Sequence, residues 1–578
     1  MNYSTLKSNN IAVFVAWPYA NAPTLHIGHL VGAILPSDIF ARFNRMLERN
    51  VLHVTGTDMH GTPVSIKAQK NNLEPKDFAL NNHKQFVKQL KQLNIDFDLY
   101  TNTHNNLHEK VTNNIGKLLY ERGFLFPKTT KMFYDKVKQV FLPDRYVEGI
   151  CPYCGYSPAR GDQCDNCGRI LDPLELINPI SKLSKTKPVI KNVTNLYLDL
   201  PKLKKELENW LKQRNNFRKH VKEMTLGFIK EGLKPRPVTR NIDWGIKVKI
   251  NGFEDQVWYV WFEAVIGYLS ASIAWDIQKL PTNIPIIFNK RTNLSWEDFW
   301  KNKNTKHYYF LGKDNIPFHT IIWPIQLLMY NKKYKDKKLF KKYILPNEKT
   351  NSPLNLAYDV PANNFLNMNS AKISKSTGNY IGLNDLLTQY DVSHIRFVFA
   401  RLMPENKDTD FTMQKFQTIV NNELVATIGN LIYRVFSFAE KTYHTVPEAN
   451  LSQKTLNRIK ETFIQTQNFI EKVQLSKALE EILKLAQYGN KLFNNASPWK
   501  AYNTTKSKQA VFDTLNIAYN LAILLFPYTP NLSYKIFNYL DTNILNNSKY
   551  KNYPTWNFYL IKPNTKINDI KIPVAKIK

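Results

Sequence analysis

Four cysteines, the only ones among the 578 residues, lie between positions 151 and 167 and could bind a metal ion. They follow the pattern C-x2-C-x9-C-x2-C, with a glycine directly after the second and the fourth cysteine. This spacing is typical of one Zn²⁺ held by four thiolates, and the full coordination sphere makes such a site structural. Because all four lie within seventeen positions, they favour metal binding in a reducing compartment over a disulfide framework. We predict a zinc site at Cys151, Cys154, Cys164 and Cys167, with a metal-free cluster as the alternative.

Two histidines in the sequence HIGH (26–29) lie one helical turn apart at the predicted start of a helix. A helix start presents free N–H groups and the positive end of the helix dipole, so it favours a triphosphate. His26 and His29 add donors, and Gly28 would let a flat base approach the backbone. Four residues are a weak pattern, and two surface or capping histidines are the alternative.

A second polar motif, KISKS (372–376), carries Lys372 and Lys375 and is followed by Thr377 and Gly378. Two ammonium groups on a loop flanked by glycine suit a mobile clamp on phosphates. Taken alone it also fits a solvated basic turn. HIGH follows the first predicted strand, and KISKS follows the last strand-like segment. Their joint occurrence in this order favours a phosphate-binding role for both.

Aromatic residues are concentrated in WPYAN (17–21), YVWFEAVIGY (259–268) and FLGKDNIPFH (310–319). These segments could form the wall of an apolar pocket, although each aromatic taken singly is more simply explained as core. Asp58, in TDMHGTP (57–63), follows a predicted strand and is placed to accept an ammonium group.

Three residues of the C-terminal third could recognise unstacked nucleotide bases. Asn430 and Arg434 lie one helical turn apart, and Trp499 follows a proline. A planar donor, a guanidinium group and a stacking ring suit single-stranded RNA. A helix cap, a salt-bridged face and a core tryptophan are the structural alternatives.

The elements that must position these residues begin with a βαβ unit. Residues 11–17 and 51–57 are predicted strands, and a helical pattern runs from about residue 26 to 50 between them. Such a unit opens a doubly wound parallel sheet whose ligands lie at the carboxyl ends of the strands. Strand-like sequence returns at VWYVWFEAVIGYLSA (257–271) and HYYFLGKDNIPFH (307–319). Beyond about residue 405, apolar residues recur every three or four positions, which predicts helices. We therefore predict an α/β fold of Rossmann type with a zinc-knuckle insertion, followed by an all-α helix bundle.

Six segments follow from these patterns. They are the first half of the sheet (1–120), an insertion with the zinc knuckle at 151–167 (121–240), the second half of the sheet (241–335), a linking region with KISKS (336–405), a helical domain (406–553) and an extended segment that folds back on it (554–578).

The chain is strongly basic, with a formal net charge of +32 and a pI near 9.6. An excess of this size favours a polyanionic partner, although codon bias in an AT-rich genome would also raise the lysine content. No apolar run of about 18 residues or more is evident, and the N-terminus lacks a signal-peptide pattern, so we expect a cytoplasmic protein without a membrane segment.

HIGH, the cysteine knuckle, the aromatic segments and KISKS, in their order along the chain, resemble the methionyl-tRNA synthetase family of class I aminoacyl-tRNA synthetases. The resemblance extends from residue 11 to the end of the helical region and into the closing extended segment. The resemblance implies partners ATP, L-methionine and tRNA(Met), and Mg²⁺ with ATP. It assigns the chemistry to His26, His29, Lys372 and Lys375. It assigns ATP contacts to His26, Gly28, His29, Gly312, Asp314 and Lys375. It assigns the methionine pocket to Tyr19, Asp58, Trp261, Ala264, Tyr268, Ile316 and His319. It assigns reading of the CAU anticodon to Asn430, Arg434 and Trp499.

The chain departs from the family pattern at few positions. Trp17 stands where an aliphatic residue is common, and Ile373 replaces the methionine of KMSKS. The chain stops soon after the helical region, without the family's appended dimerising domain, so a monomer is expected. The insertion of about 120 residues is too short for the editing domain of the leucine, isoleucine and valine enzymes. The cysteine enzyme uses an open zinc site, which four thiolates do not provide.

The resemblance implies a two-step reaction. The carboxylate of methionine attacks the α-phosphorus of ATP and releases pyrophosphate, and a ribose hydroxyl of tRNA then accepts the methionyl group. Two other functions remain as alternatives: an inactive synthetase-like RNA-binding protein, and a small-molecule nucleotidylyltransferase, which shares the HIGH helix start.

Overall fold

A six-stranded sheet forms the centre of the N-terminal part of the chain. The computed structural model describes residues 10–142, 146–161, 164, 166–167, 171–280, 283–369, 371–372, 380–546 and 548–577. The strands of the central sheet are β1 (Ile11–Val15), β2 (Val51–Thr57), β3 (Leu99–Asn102), β4 (Ile287–Phe288), β5 (Lys306–Gly312) and β6 (Ala362–Asn363). Their order is β4-β3-β2-β1-β5-β6, and all neighbours are parallel except β4 and β3. The predicted α/β doubly wound sheet is therefore confirmed.

The strand order reverses between β1 and β5. From β1 the chain builds β2 and β3 on one side, and later returns to place β5 and β6 on the other side. Ile11 pairs with Val51 of β2 and with Lys306 of β5. A reversal of this kind opens a crevice at the carboxyl ends of the two central strands, which is where parallel sheets bind their ligands.

Helices cover both faces of the sheet, so β1 and β2 are buried throughout. The first helical segment is continuous and includes one stretch of π-helix. The α-helices of this part of the chain are Ile27–His29, Leu35–Met46, Thr62–Lys70, Pro75–Gln92, Asn106–Glu121, Val260–Glu263, Gly267–Ile277, Trp296–Trp300, Trp323–Asn331, Lys337–Lys342, Leu383–Gln389 and Val392–Arg401.

One expectation about residues 257–277 is wrong, namely the strand predicted over residues 257–271. Only Val257–Trp258 is a strand, whereas Val260–Glu263 and Gly267–Ile277 are helices joined by a 3-10 turn. The same stretch, Val260–Ile277, is long and apolar enough to cross a membrane by length and composition, but 83% of it is buried inside the protein. A helix buried on all sides has no polar face, so its sequence lacks the helical period and resembles a strand or a membrane span.

The insertion between β3 and β4 contains two small sheets and two helices. One antiparallel sheet pairs Leu125–Asp135 with Val189–Leu198 along ten residue pairs, and has Val140–Phe141 and Arg236–Pro237 at its edges. The other contains the cysteine cluster and consists of Val147–Ile150, Ala159–Arg160 and Ile177–Ser181. The helices are Lys204–Lys212 and Lys219–Lys230.

A helical region follows residue 412, as the periodicity predicted. Its α-helices are Met413–Thr418, Asn430–Tyr443, Gln453–Glu471, Leu475–Ala496, Thr505–Leu525 and Pro530–Phe537, with the π-helix Ile419–Gly429 between the first two. These helices share one apolar core with a face of the central sheet.

The last 25 residues have no helix in the part that the structure describes, and they pack back on earlier elements. The Trp556 N–H donates to the carbonyl of Met46, and isolated bridges join Thr445 to Lys566 and Leu540 to Ile567. This segment therefore links the sheet to the helical region.

Candidate active site

A cavity of about 450 Å³ lies at the point where the strand order reverses. Its walls come from the segments that follow β1 and β5, the first helix, and the strand near residue 366. The lining residues are Ala16, Trp17, Pro18, Tyr19, Asn21, His26, Gly28, His29, Gly32, Ala33, Ile34, Trp261, Gly312, Asp314, Asn315, Asn364, Phe365 and Leu366. Seven residues predicted from the sequence meet here: Tyr19, His26, Gly28, His29, Trp261, Gly312 and Asp314.

The two histidines of HIGH lie side by side at the start of the first helix. Their rings are stacked, with 3.7 Å between centroids, and the His26 N–H donates to Nδ1 of His29 at 3.3 Å. A Cβ added at Gly28 would lie 2.9 Å from the His26 ring, so glycine allows the imidazole to fold over the backbone. Both rings thus stand at the positive end of a helix and line the cavity.

The lysine loop is described only at its two ends. Lys375 and the side chain of Lys372 lie outside the described residues. Before the loop, the strand Ala371–Lys372 pairs with Leu366–Met368, which borders the cavity. After the loop, the Ile27 N–H donates to the carbonyl of Ile381, and Gly382 bridges to His26. Both ends of the loop are therefore attached next to the histidine pair.

Gly312 and Asp314 lie at the carboxyl end of β5, across the cavity from the histidines. A Cβ at Gly312 would stand 2.9 Å from a carboxylate oxygen of Asp314, so glycine makes room for that side chain. Asp314 is exposed.

An aromatic wall forms the side of the cavity next to Tyr19. The rings of Trp261 and Phe318 are stacked with 4.1 Å between centroids and 10° between planes. Tyr19 approaches Trp261 edge-on at 6.0 Å. An apolar, polarisable surface of this kind suits a thioether side chain.

Behind this wall, Tyr268 and His319 form a fixed pair, and Ala264 and Ile316 are buried next to it. The backbone carbonyl of Asn315 lies 2.9 Å from Nδ1 of His319, and the Tyr268 hydroxyl lies 2.7 Å from Nε2. Burial lowers the pKa of His319 to about 4, so the ring is neutral. Its Nδ1 then donates to Asn315 and its Nε2 accepts from Tyr268, which fixes both side chains.

Asp58 is almost completely buried at the end of β2. Its N–H donates to the carbonyl of Pro18, and its own carbonyl accepts from the N–H of Ala20, so its backbone is fixed next to the WPYAN loop. Burial, followed by the negative charge of Glu263, raises the pKa of the Asp58 carboxyl well above its usual range. A cationic group bound at this position would favour the ionised form.

Sequence reasoning missed a buried network next to Asp58. Glu263 is completely buried and lies 2.9 Å from Nδ1 of His60 and 2.6 Å from Nε2 of His108. The Nε2 atom of His60 lies in turn 3.2 Å from Nδ1 of His104. The sequence near Asp58 indicated this network only through His60, two residues after Asp58. Its partner Glu263 lies 203 residues away along the chain, so no local pattern joins the two.

The structure also places Trp17, whose role the sequence left open. An added Cβ would lie 2.3 Å from the Trp17 ring at Gly56 and 2.7 Å from it at Gly267. The indole therefore fits between two glycines, one on β2 and one on the helix that carries Tyr268.

The four cysteine sulfurs form a compact cluster in the insertion. All lie within 4.8 Å of one another, with Cys151 and Cys167 3.9 Å apart and Cys154 and Cys164 3.6 Å apart. A zinc ion at about 2.3 Å from each sulfur requires sulfurs about 3.8 Å apart, so the cluster fits a tetrahedral ion. A backbone hydrogen bond from Tyr156 lowers the pKa of Cys154 to about 6, which favours the thiolate. Gly155, at φ +71°, forms the turn after the second cysteine.

Arg434 and Trp499 come together on the surface of the helical region. The Arg434 guanidinium lies 5.8 Å from the centre of the Trp499 ring and donates to Asn494 at 3.0 Å. Trp499 is 47% exposed, so it is not a core residue. Asn430 is exposed one turn before Arg434.

Two family profiles match the chain. The family described as tRNA synthetases class I (M) matches residues 11–436, and the anticodon binding domain of methionyl tRNA ligase matches residues 444–555. Together they cover the sheet, the insertion and most of the helical region.

Similar proteins agree with these profiles. The methionine–tRNA ligase of Thermomicrobium roseum is 39% identical over 92% of this chain and 87% of its own. The methionine–tRNA ligase of Thermoplasma volcanium is 35% identical over 98% of this chain and 99% of its own. The methionyl-tRNA synthetase of Mycobacterium tuberculosis, solved with methionyl-adenylate, shares the fold with a TM-score of 0.73 at 20% identity over 99% of both chains.

Proposed function

The chain belongs to the class I tRNA synthetases of the methionine type, and we propose that it activates L-methionine with ATP and transfers it to tRNA(Met). The observation that carries the proposal is the cavity at the strand reversal. It brings a histidine pair at a helix start together with an aromatic wall, next to a buried carboxylate. These groups match the triphosphate, the thioether and the ammonium group of the two substrates.

In the first step the two substrates are held in line. His26 and His29 bind the phosphates, together with Lys372, Lys375 and the Mg²⁺ that accompanies ATP, and Gly28, Gly312 and Asp314 contact the adenosine. Tyr19, Trp261, Ala264, Tyr268, Ile316 and His319 enclose the methionine side chain, and Asp58 binds its ammonium group. The carboxylate of methionine is already ionised, so catalysis consists of positioning and charge stabilisation rather than proton removal.

In the second step the methionyl group passes to the terminal ribose of tRNA(Met). Asn430, Arg434 and Trp499 would read the anticodon from the helical region, because the exposed ring and the guanidinium offer stacking and hydrogen bonds to unpaired bases. The net charge of +32 would favour the approach of this polyanion.

The segments proposed from the sequence divide this work. Residues 1–120 and 241–335 form the catalytic sheet, 336–405 carry the lysine loop, 406–553 bind the anticodon, and 554–578 fold back. The insertion 121–240 holds one structural Zn²⁺ through its four cysteines. A monomer in the cytoplasm completes the proposal.

The two alternative functions make different use of the same residues. A small-molecule nucleotidylyltransferase would not need the surface around Arg434 and Trp499. An inactive RNA-binding relative would not need the stacked histidines next to an aromatic pocket.

Amino-acid-dependent ATP–pyrophosphate exchange, with the twenty amino acids offered singly, tests the proposal. Exchange with methionine alone is the expected result. Exchange with another amino acid would retain the class but refute the pocket assignment. Absence of exchange from folded, zinc-loaded protein would favour the inactive RNA-binding protein.

The lysine clamp has its own test. Lys375→Ala should lower the rate of adenylate formation about 100-fold, while the methionine Kd stays within about twofold. The reason is that the ammonium group acts on charge that develops in the transition state. Lys477→Ala, at an exposed position of the helical region, is the control and should leave exchange unchanged. Normal exchange by Lys375→Ala would remove this lysine from the mechanism.

A further inference from the structure

We infer that Glu263, fixed by His60 and His108, is a further positioning residue of the methionine site: its buried charge acts on Asp58 and thereby on the ammonium group of the substrate. The inference rests on the proposed function, since it assumes that Asp58 binds that ammonium group. It assigns a role to a network that the two-step mechanism does not use.

Hydrogen-bond geometry favours the ionised form of Glu263. His104 is neutral, since burial lowers its pKa to about 4, so its Nδ1 can donate to Nε2 of His60. The Nδ1 of His60 then donates to one oxygen of Glu263. The other oxygen accepts from Nε2 of His108. Two N–H donors on one carboxylate favour the anion, and the pKa of Glu263 is accordingly lowered despite its burial.

Burial of Glu263 and of its two direct partners makes the Glu263 charge effective, whereas His104 at the far end is only partly buried. His60, His108 and Glu263 are each at most 1% exposed. The Trp244 indole donates to the carbonyl of Met59 at 2.6 Å and packs edge-on against His60. Away from water, a charge is weakly screened and acts more strongly on its neighbours.

Asp58 is the group on which this charge acts. His60 connects the two carboxylates: its backbone N–H lies 3.4 Å from Oδ1 of Asp58, and its ring Nδ1 lies 2.9 Å from Glu263. Consistent with this proximity, the Glu263 charge is the second cause, after burial, of the raised pKa of Asp58. Among the described residues, no lysine or arginine forms an ion pair with either carboxylate. The pair therefore has an excess of negative charge that the ammonium group of the substrate would neutralise.

Other titratable groups surround this pair. They are His60 after β2, His104 after β3, His108 on the helix Asn106–Glu121, Tyr268 on the helix Gly267–Ile277, Tyr19 from the WPYAN loop and His319 behind the aromatic wall. Lys76 and Glu109 act on His104 from farther away. Of these, Tyr268 has its pKa raised by burial, then by Tyr309 and by Asp58, so it stays neutral, as does His319.

The test compares two ligands in one variant. Methioninol carries the amine without the carboxylate, and 4-(methylthio)butanoate carries the carboxylate without the amine. In calorimetric titrations of the zinc-loaded full chain at pH 8, Glu263→Gln should bind methioninol roughly tenfold more weakly, as expected for removal of one nearby buried charge. Its affinity for 4-(methylthio)butanoate should stay within about twofold.

A pH series separates an electrostatic role from a structural one. Methioninol binding requires ionised Asp58, so its affinity falls as the pH falls through the raised pKa of that carboxyl. Removal of the Glu263 charge lowers this pKa, so in Glu263→Gln the loss should occur at a lower pH than in the wild type. Glu263→Asp keeps the charge and should restore part of the affinity at pH 8.

Glu348→Gln is the matched control, because Glu348 is also buried but is paired with Lys301 and Lys333. It should lower the melting temperature without changing methioninol affinity or its pH dependence. Equal weakening of both ligands by Glu263→Gln, or an unchanged affinity and pH profile, would overturn the inference while the proposed function stands. Failure of the wild type to bind either ligand would refute the proposed function and the inference with it.

Discussion

At the scale of single residues, Trp17 lies between two glycines, and this contact predicts that Gly267→Ala lowers the stability of the protein only while the indole is present. Gly267→Ala adds a Cβ at 2.7 and 2.9 Å from the indole and meets nothing else that close. Overpacking of this kind costs about 1–3 kcal/mol, which outweighs the gain of about 1 kcal/mol from alanine in a helix. We expect a lower melting temperature and, because Trp17 lines the cavity, a higher KM for methionine.

In a Trp17→Leu background the same substitution should become neutral or stabilising, because the smaller side chain leaves room for the methyl group. Gly56→Ala is the matched control. Its Cβ would lie 2.4 Å from the backbone carbonyl oxygen of Thr101 as well as 2.3 Å from the indole, so Trp17→Leu should not rescue it. Equal cost of Gly267→Ala in both backgrounds, measured by thermal unfolding, would show that the indole is not the obstacle.

The location of cavity residues could be predicted from the sequence where a short motif directly follows a strand. HIGH, WPYAN and Asp58 lie directly after β1 or β2, so their neighbourhood follows from the βαβ unit alone. The contacts of Trp17 and Glu263 were not predictable, because they join residues that lie far apart along the chain and form no periodic pattern. The pairing of Glu263 with His60 and His108 depends on where the helix Val260–Glu263 meets the end of β2 and the helix after β3.

At the scale of elements, the zinc knuckle is expected to depend on its metal. Its own apolar core is small, with Phe133, Leu142, Val147, Leu171 and Leu176 among its members. In so small a core, metal binding supplies folding free energy. Chelation should therefore speed amide hydrogen exchange in Val147–Ile150 and Ile177–Ser181, while β2 keeps its protection.

Variants of the exposed ligands extend this test. Cys154→Ser and Cys167→Ser should lower the metal content from about one zinc per chain and accelerate exchange in the same two strands. Tyr156→Ala, which retains the backbone contacts to Cys151 and Cys154, should keep the metal. Full metal content in both serine variants would refute the assignment of these ligands.

Elements were predictable from the sequence where one face is polar. The C-terminal helices show their period because one side of each faces solvent. β2 is buried throughout, and it was located at its observed bounds because a short and largely apolar run is typical of a buried parallel strand. The helices within Val260–Ile277 were misread as strand, because burial on every side removes the polar face that marks a helix.

At the scale of the whole molecule, Arg396 joins the sheet to the helical region through a buried ion pair. Its guanidinium binds Asp38, at 2.6 Å, and donates to the carbonyls of Leu93 on the catalytic side and of Pro527 and Tyr528 in the helical region. No sequence pattern indicated this connection, because its partners come from three separate segments. The orientation of the proposed anticodon surface (Asn430, Arg434 and Trp499) relative to the active site therefore depends in part on one side chain.

Arg396→Met should weaken this connection in a way that depends on pH. Burial alone would raise the pKa of Asp38, but attraction from Arg42 and Arg396 holds it below its usual range. A carboxyl with a lowered pKa in the folded state stabilises the protein above its unfolded pKa of about 4, and this contribution is lost as the pH falls through the folded-state value. The variant should therefore lose about 3–5 kcal/mol at pH 7, and the difference from the wild type should shrink below about pH 4.

The loss of this connection should also change the two enzymatic activities unequally. Arg396→Met leaves the cavity intact but no longer holds the helical region at a fixed distance from the active site. The rate of tRNA aminoacylation should therefore fall more than the rate of ATP–pyrophosphate exchange. Arg401→Met is the control, because Arg401 ends the same helix and pairs with Glu423 in a partly exposed bridge, whose loss costs about 1 kcal/mol or less. If Arg396→Met reduces exchange and aminoacylation equally, the arginine stabilises the catalytic sheet itself and does not couple it to the helical region.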